Sequence, residues 1–205
     1  MQIIDTANWA RKAQYEFFKD FEDPFFGVTV EVECTALYQL AREKKQSFFI
    51  HYMHKALMAM NEIDEFKLRI DGDNVIKVDC IHGTTTVFKE DHTFAFSWFD
   101  YIEDFEEFYR QTQKILDAAR KDKSLEPSST LDVVHVSVTP WMSFTQIKHP
   151  RTKAQTDSIP KILFGKAQLK DGKLMMPVNV EANHALMDGY HLSLFFKRFE
   201  ELMMQ

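Results

Sequence analysis

Apolar positions along this chain switch between two periods, and the switches divide it into elements. Residues 28–34, Val28-Thr29-Val30-Glu31-Val32-Glu33-Cys34, alternate apolar and polar, the period of a strand with one buried face. Ahead of them, Asn8 stands as the N-cap of a helix running through Trp9, Arg11, Tyr15 and Phe18. Helical spacing follows over residues 35–45 and 47–62. Asp71-Gly72-Asp73-Asn74 makes a hairpin turn between strands at 66–70 and 75–78. Residues 84–88 and 93–98 form a second strand pair, and residues 102–121 bring Ile102, Phe105, Phe108, Ile115 and Ala119 into helical register.

The second half opens with a strand at 131–139. Val134, Val136 and Val138 lie on one face of it, while His135, Ser137 and Thr139 share the other. Lys170-Asp171-Gly172-Lys173 is a turn, and residues 174–182 are a further strand. The chain closes on a helix whose apolar stripe is Leu192, Phe195, Phe196, Phe199, Leu202 and Met203. Strands and helices are interspersed without strict alternation, so the class is α+β, a mixed sheet with flanking helices. No Pro/Gly/Ser-rich linker or internal repeat divides residues 1–205, which reads as a single domain.

Composition narrows the function. Nineteen phenylalanines against six glycines point to a large aromatic core or a generous apolar pocket. The net charge of −6 is spread with both signs mixed, and no basic block speaks for nucleic acid or an anionic membrane. No run approaches the ~18–20 apolar residues of a membrane helix, and the N-terminus lacks a signal-peptide pattern. The expectation is a soluble cytoplasmic protein. Cys34 and Cys80 make no metal or disulfide pattern and read as buried free thiols in a reducing compartment. No Walker loop, dinucleotide fingerprint, zinc-protease helix or Gly-x-Ser-x-Gly elbow is present.

Candidate chemistry gathers at Asn183-His184-Ala185-Leu186-Met187-Asp188-Gly189, between the last strand and the last helix. Asp188 is placed to cap that helix, Gly189 permits a tight backbone path, and a neutral His184 imidazole can remove a hydroxyl proton. Taken alone, the pattern fits a capping Asp beside an incidental His equally well. Ser137, on the polar side of its strand, is a candidate donor to an oxyanion. His51 and His54 lie three apart on a helix without a third ligand at helical spacing, so they read as a partly buried pair and no metal is expected.

Three motifs in order carry a resemblance. Val180-Glu181-Ala182-Asn183-His184-Ala185-Leu186-Met187-Asp188-Gly189-Tyr190-His191 resembles the His-His-Ala-Val-x-Asp-Gly-Phe-His signature of the chloramphenicol acetyltransferase family. Val136-Ser137-Val138-Thr139-Pro140-Trp141-Met142-Ser143-Phe144 resembles its Ser-x-x-Pro-Trp-x-x-Phe strand, and Trp9-Ala10-Arg11-Lys12 with Tyr15-Glu16-Phe17 resembles its opening helix. Phe66-Lys67-Leu68-Arg69, Val87-Phe88 and Thr93-Phe94 fit its middle section, so the likeness spans nearly the whole chain.

The resemblance implies acetyl transfer from acetyl-CoA to a small hydroxylated acceptor, chloramphenicol first among candidates, with antibiotic resistance as the associated role. It implies a homotrimer with active sites between subunits. His184 would be the base, Ser137 the oxyanion donor, and an Arg11–Asp188 pair would hold the loop. Phe17, Phe18, Phe26, Phe94 and Ile147 would line the acceptor pocket, and Lys166 would sit near the coenzyme. Phe96 and His149 stand where the family has a small residue and a leucine, which narrows the pocket and makes one side more polar. Leu163 replaces a threonine near the oxyanion, and Asn183 replaces the first of two histidines. Two further readings share the fold: the acyltransferase core of 2-oxo acid dehydrogenase complexes, whose lipoyl domain and linker have no counterpart here, and a non-catalytic ligand-binding relative.

Overall fold

The computed structural model describes residues 1–121, 125–126, 129–151 and 157–205. In chain order its elements are β1 (Gln2–Ile3), α1 (Lys12–Phe18), β2 (Phe25–Glu33), α2 (Thr35–Glu43), α3 (Phe48–Asn61), β3 (Leu68–Asp71), β4 (Asn74–Lys77), β5 (His82–Phe88) and β6 (Phe94–Phe99). They continue with α4 (Phe105–Ala119), β7 (Val133–Val138), β8 (Lys161–Phe164), β9 (Gln168–Lys170), β10 (Lys173–Asn183) and α5 (Gly189–Met203). A small sheet has the order β1-β4-β3. The main sheet runs β2-β10-β8-β7-β5-β6, with β9 hairpinned onto β10. It is mixed: β5, β7 and β8 are parallel, and the remaining pairs are antiparallel.

The alternation along β7 and β10 decides how this sheet is covered. Val134, Val136, Val178, Val180 and Ala182 are buried in one core with Val32, Ile162 and Phe164. Against that face lie α3, buried along most of its length, and the apolar stripe of α5. Phe195 and Phe199 stack at 5.5 Å and are fully buried, each stabilising the fold by about 1.5–3 kcal/mol. The opposite face carries His135 and Ser137 of β7, Lys161 and Leu163 of β8, and Asn179 and Glu181 of β10. The pairing Trp98–Thr84–His135 puts Trp98, Phe96 and Phe94 on this same face, where Phe94 and Trp98 remain 44% and 39% exposed.

Several boundaries differ from the sequence expectation. The first helix begins at Lys12, not behind an Asn8 cap, because Asn8 is engaged locally: its Nδ2 donates to Asp5 Oδ2 at 2.7 Å. Strand β2 starts three residues earlier than expected, and Cys34 is already the N-cap of α2. Residues 64–67 form a 3-10 turn ahead of β3, and β8 and β9 were not anticipated. Cys34 is buried, which pushes its thiol up to about 12, whereas Cys80 is only half-buried; both are unpaired. His51 and His54 are both buried, His51 facing Gln46 Oε1 at 2.8 Å and His54 facing the Ile102 carbonyl at 3.0 Å. Among the described residues no helix is long and apolar enough to cross a membrane.

Candidate active site

The turn between β10 and α5 is built by its own side chains. The Asn183 carbonyl accepts from the amides of Leu186 and Met187, and Asn183 Oδ1 accepts from the Ala185 amide at 2.9 Å. Asp188 caps α5: its Oδ1 accepts from the Tyr190 amide at 3.0 Å, while its own amide donates to His191 Nδ1 at 3.1 Å. Beneath the turn, Ala185 and Leu186 are buried in a second, smaller core with Tyr15, Leu68 and Val75. The small sheet and the N-terminal segment thereby form the floor of the turn.

His184 is held on three sides. Its amide donates to the Pro24 carbonyl at 2.8 Å. Phe18 stacks on its ring at 4.2 Å with the planes 10° apart, and Phe26 packs on the ring at 4.5 Å. Its Nδ1 is buried without a hydrogen-bond partner among the described residues. That leaves Nε2 as the nitrogen available to a reacting group. Arg11 Nη1 donates to Asp188 Oδ2 at 2.9 Å, four residues beyond His184.

Beside this turn a cleft of about 450 Å³ runs along β2, between Phe26 and Ile147, with Asn179 and Glu181 at its base. Phe17 does not line this cleft; it is exposed and meets Phe18, the ring stacked on His184, edge-on at 4.9 Å. The cleft has a charged wall. Glu181 is buried against Arg151, accepts from the His149 amide at 3.0 Å, and lies 3.3 Å from His149 Nδ1. Burial pushes the Glu181 carboxyl up, but the bonds from His149 and the Arg151 charge outweigh it and hold it below the ordinary carboxylate value. Arg151 in turn lies over the Phe25 ring at 4.0 Å.

Ser137 is elsewhere. It pairs with Leu163, Leu163 pairs with Asn179, and His184 lies five residues beyond Asn179. Two strand spacings and five strand residues put the two backbones roughly 19 Å apart, out of reach of both side chains. Phe94 and Phe96, in contact at 5.4 Å, stand on β6 at the sheet edge opposite β2, roughly 24 Å away. Within one chain the named residues therefore fall into two groups. His184, Phe17, Phe18, Phe26, Ile147 and His149 gather near β2; Ser137, Phe94 and Phe96 face out from the other half of the sheet.

A feature that sequence reasoning missed is a second cleft, of about 380 Å³, on the helix side at the end of β7. Phe48, Phe49, Tyr52, Val138 and Trp141 line it, with Arg120 at its rim. The adjacent Phe48-Phe49 pair opening a helix was the available signal. Lys166 is exposed at the same end of the sheet, its amide donating to the Met142 carbonyl at 2.9 Å.

Comparison with known proteins agrees with this arrangement of elements. The family profile described as chloramphenicol acetyltransferase matches residues 1–200. A chloramphenicol acetyltransferase of Clostridium perfringens is 29% identical, covering 98% of this chain and 93% of its own. Chloramphenicol acetyltransferase 3 of Escherichia coli is 25% identical, covering 97% and 95%. A solved chloramphenicol acetyltransferase superposes with a TM-score of 0.93 at 36% identity, over 98% of this chain and 99% of that one. The dihydrolipoamide acetyltransferase of Azotobacter vinelandii shares the fold, with a TM-score of 0.71 at 16% identity over 95% and 86%. This chain, an acyl-transferring enzyme, belongs to the chloramphenicol acetyltransferase family.

Proposed function

We propose that the chain transfers acetyl from acetyl-CoA to a hydroxyl of a small acceptor, with His184 as general base and chloramphenicol as the first acceptor to assay. The observation that carries this reading is the aromatic clamp on His184, which buries Nδ1 and leaves Nε2 free. As the acceptor oxygen attacks the thioester carbonyl, Nε2 takes its proton. The tetrahedral intermediate then expels the coenzyme thiolate, which receives that proton from the imidazolium, and an ester and free coenzyme A remain. Ser137 donates to the intermediate's oxyanion.

The separation of Ser137 from His184 supports a site shared between subunits. A head-to-tail contact that sets the β2 edge of one chain against the Ser137 face of the next joins the two groups, and such contacts close into rings. A trimer is the ring the family resemblance implies. The exposed Phe94 and Trp98 supply apolar surface for that contact. The aromatic cleft at Phe48, Phe49 and Trp141 would suit the coenzyme's adenine by stacking, with Arg120 on its lining and Lys166 at the same end of the sheet as candidate cations for its phosphates.

The test is His184→Ala, followed by release of coenzyme A with a thiol reagent. Turnover with every acceptor is expected to fall by about 10²–10⁴-fold or more while the fold persists. Near-normal turnover in the folded variant removes the assignment.

A further inference from the structure

We infer that Asn183 is the positioning residue of this site, fixing the backbone that carries His184; the inference rests on the reading of His184 as base. Asn183 is 1% exposed and uses both ends of its amide. Oδ1 accepts from the Ala185 amide at 2.9 Å, closing the turn locally. Nδ2 reaches across 26 residues to donate to the Asp157 carbonyl at 3.1 Å. Asp157 is itself anchored to the start of β8, where its carboxylate accepts from the Lys161 ammonium and the Ile159 amide. The turn is therefore tied to β8 by Asn183 and to the segment before β2 by the bond from the His184 amide to the Pro24 carbonyl.

These ties flank His184 on its two sides. The ring packs between Phe18 at 4.2 Å and Phe26 at 4.5 Å, so a shift of the backbone at residues 183–184 moves Nε2 with it. Losing the Asn183 side chain removes the tie to β8 and leaves the turn held by main-chain bonds, those from the Leu186 and Met187 amides and the His184–Pro24 bond among them, and by the Arg11–Asp188 pair. A misplacement of about 1 Å at a reacting group costs on the order of 10²-fold in rate.

Two variants separate the local bond from the long one. Asn183→Ala removes both. Asn183→Ser keeps a short acceptor for the Ala185 amide, as Ser does in local turns, but cannot reach Asp157. In steady-state kinetics with acetyl-CoA and chloramphenicol, kcat of Asn183→Ala is expected to fall by about 10²-fold, with Asn183→Ser between it and wild type. Both KM values are expected to stay within about twofold, the signature of an effect on the transition state alone. A folded Asn183→Ser whose kcat is within about twofold of wild type, or whose loss lies wholly in KM, overturns the inference. Should Asn183→Ala fail to fold, Asn183→Ser decides. His184→Ala run alongside separates the two ideas: an active His184→Ala removes the base and its positioning residue together, whereas an inert His184→Ala beside a normal Asn183→Ser removes the positioning role alone.

Discussion

Arg11 and Asp188, the N-cap residues of the first and last helices, are joined by a hydrogen bond of 2.9 Å from Nη1 to Oδ2. The two partners are not equally placed. Arg11 is the more deeply buried, at 14% side-chain exposure against 35% for Asp188, and its Nε and Nη2 have no partner among the described residues. Asp188 keeps its cap bond to Tyr190 whatever happens to Arg11. Asp188→Asn therefore strands a buried guanidinium and is expected to cost about 1–3 kcal/mol, whereas Arg11→Ala costs less because water reaches the carboxylate. Turnover should fall in both, and the double variant should lose less than the sum. Strict additivity in chemical denaturation would show that the two residues do not interact.

The same pair predicts an acid-sensitive contribution to stability. Burial pushes the Asp188 carboxyl up, but bonds from Arg11 and the Tyr190 amide outweigh burial and hold it below its ordinary 3.8. A carboxylate depressed on folding contributes stability above its unfolded value and loses it as pH falls through the folded one. The stability difference between wild type and Asp188→Asn is expected to be constant above about pH 5 and to shrink below pH 3.8. Melting curves from pH 7 downward check it; a difference unchanged in acid refutes it.

The proposed sharing of the site between subunits is tested by complementation. Ser137→Ala is expected to lose about 10²–10³-fold in rate and His184→Ala at least as much. Co-refolded in equal amounts, the two variants pair an intact His184 with an intact Ser137 at about a quarter of the interfaces of a random ring. Activity should rise to about that fraction of wild type. A mixture no more active than its parents would mean that each chain builds its own site.

The acceptor pocket is expected to disfavour bulk. Phe96 adds a ring beside Phe94, and His149 adds a polar group beside Glu181. Overfilling costs typically 1–3 kcal/mol, or roughly 5- to 150-fold in binding. Phe96→Ala with His149→Leu should lower the KM for chloramphenicol while leaving that for acetyl-CoA unchanged. The Glu181 contact with the His149 amide survives this change, because it belongs to the main chain. A wild-type KM already in the low micromolar range would sink the idea.

Arg69 is wholly buried, and its guanidinium donates to the carbonyls of Phe66, Leu68, Leu131 and Val133. Burial pushes its pKa down to about 9, so it stays charged at neutral pH. It ties β3 to the entry of β7. Arg69→Met leaves four carbonyls unpaired and is expected to destabilise by about 3 kcal/mol or more, lowering Tm by roughly 6–12 °C. A loss under 1 kcal/mol would mean that water takes over those bonds.

The readable parts of the chain were those with one wet face. Val134, Val136 and Val138 alternate because β7 separates core from polar face, and the stripe of α5 is legible because its far side meets solvent. Strand β8 gave no such signal: it is four residues long and buried on both faces, and it opens with a buried Lys161 that reads as surface. Asn8 misled because an Asn ahead of an amphipathic run looks the same whether it caps a helix or bonds to Asp5. The Asp188 cap was legible from Asp-Gly before an apolar stripe. The distance between Ser137 and His184 was not, since it depends on the register of three strands and no single strand records it.

The pairing of β2 with β10 also sets a clock on synthesis. Val28 and Asn179 lie 151 residues apart, so at 5–20 residues per second a ribosome needs about 8–30 s to deliver the partner of β2 after making β2 itself. Through that interval Phe26, Val30 and Val32 have neither their neighbouring strand nor α5 above them. The turn that holds His184 is completed only when α5 and Arg11, made at opposite ends of that wait, finally meet. A chain stalled between β10 and the end of α5 would thus hold every strand of the main sheet and a His184 turn still without its capped helix.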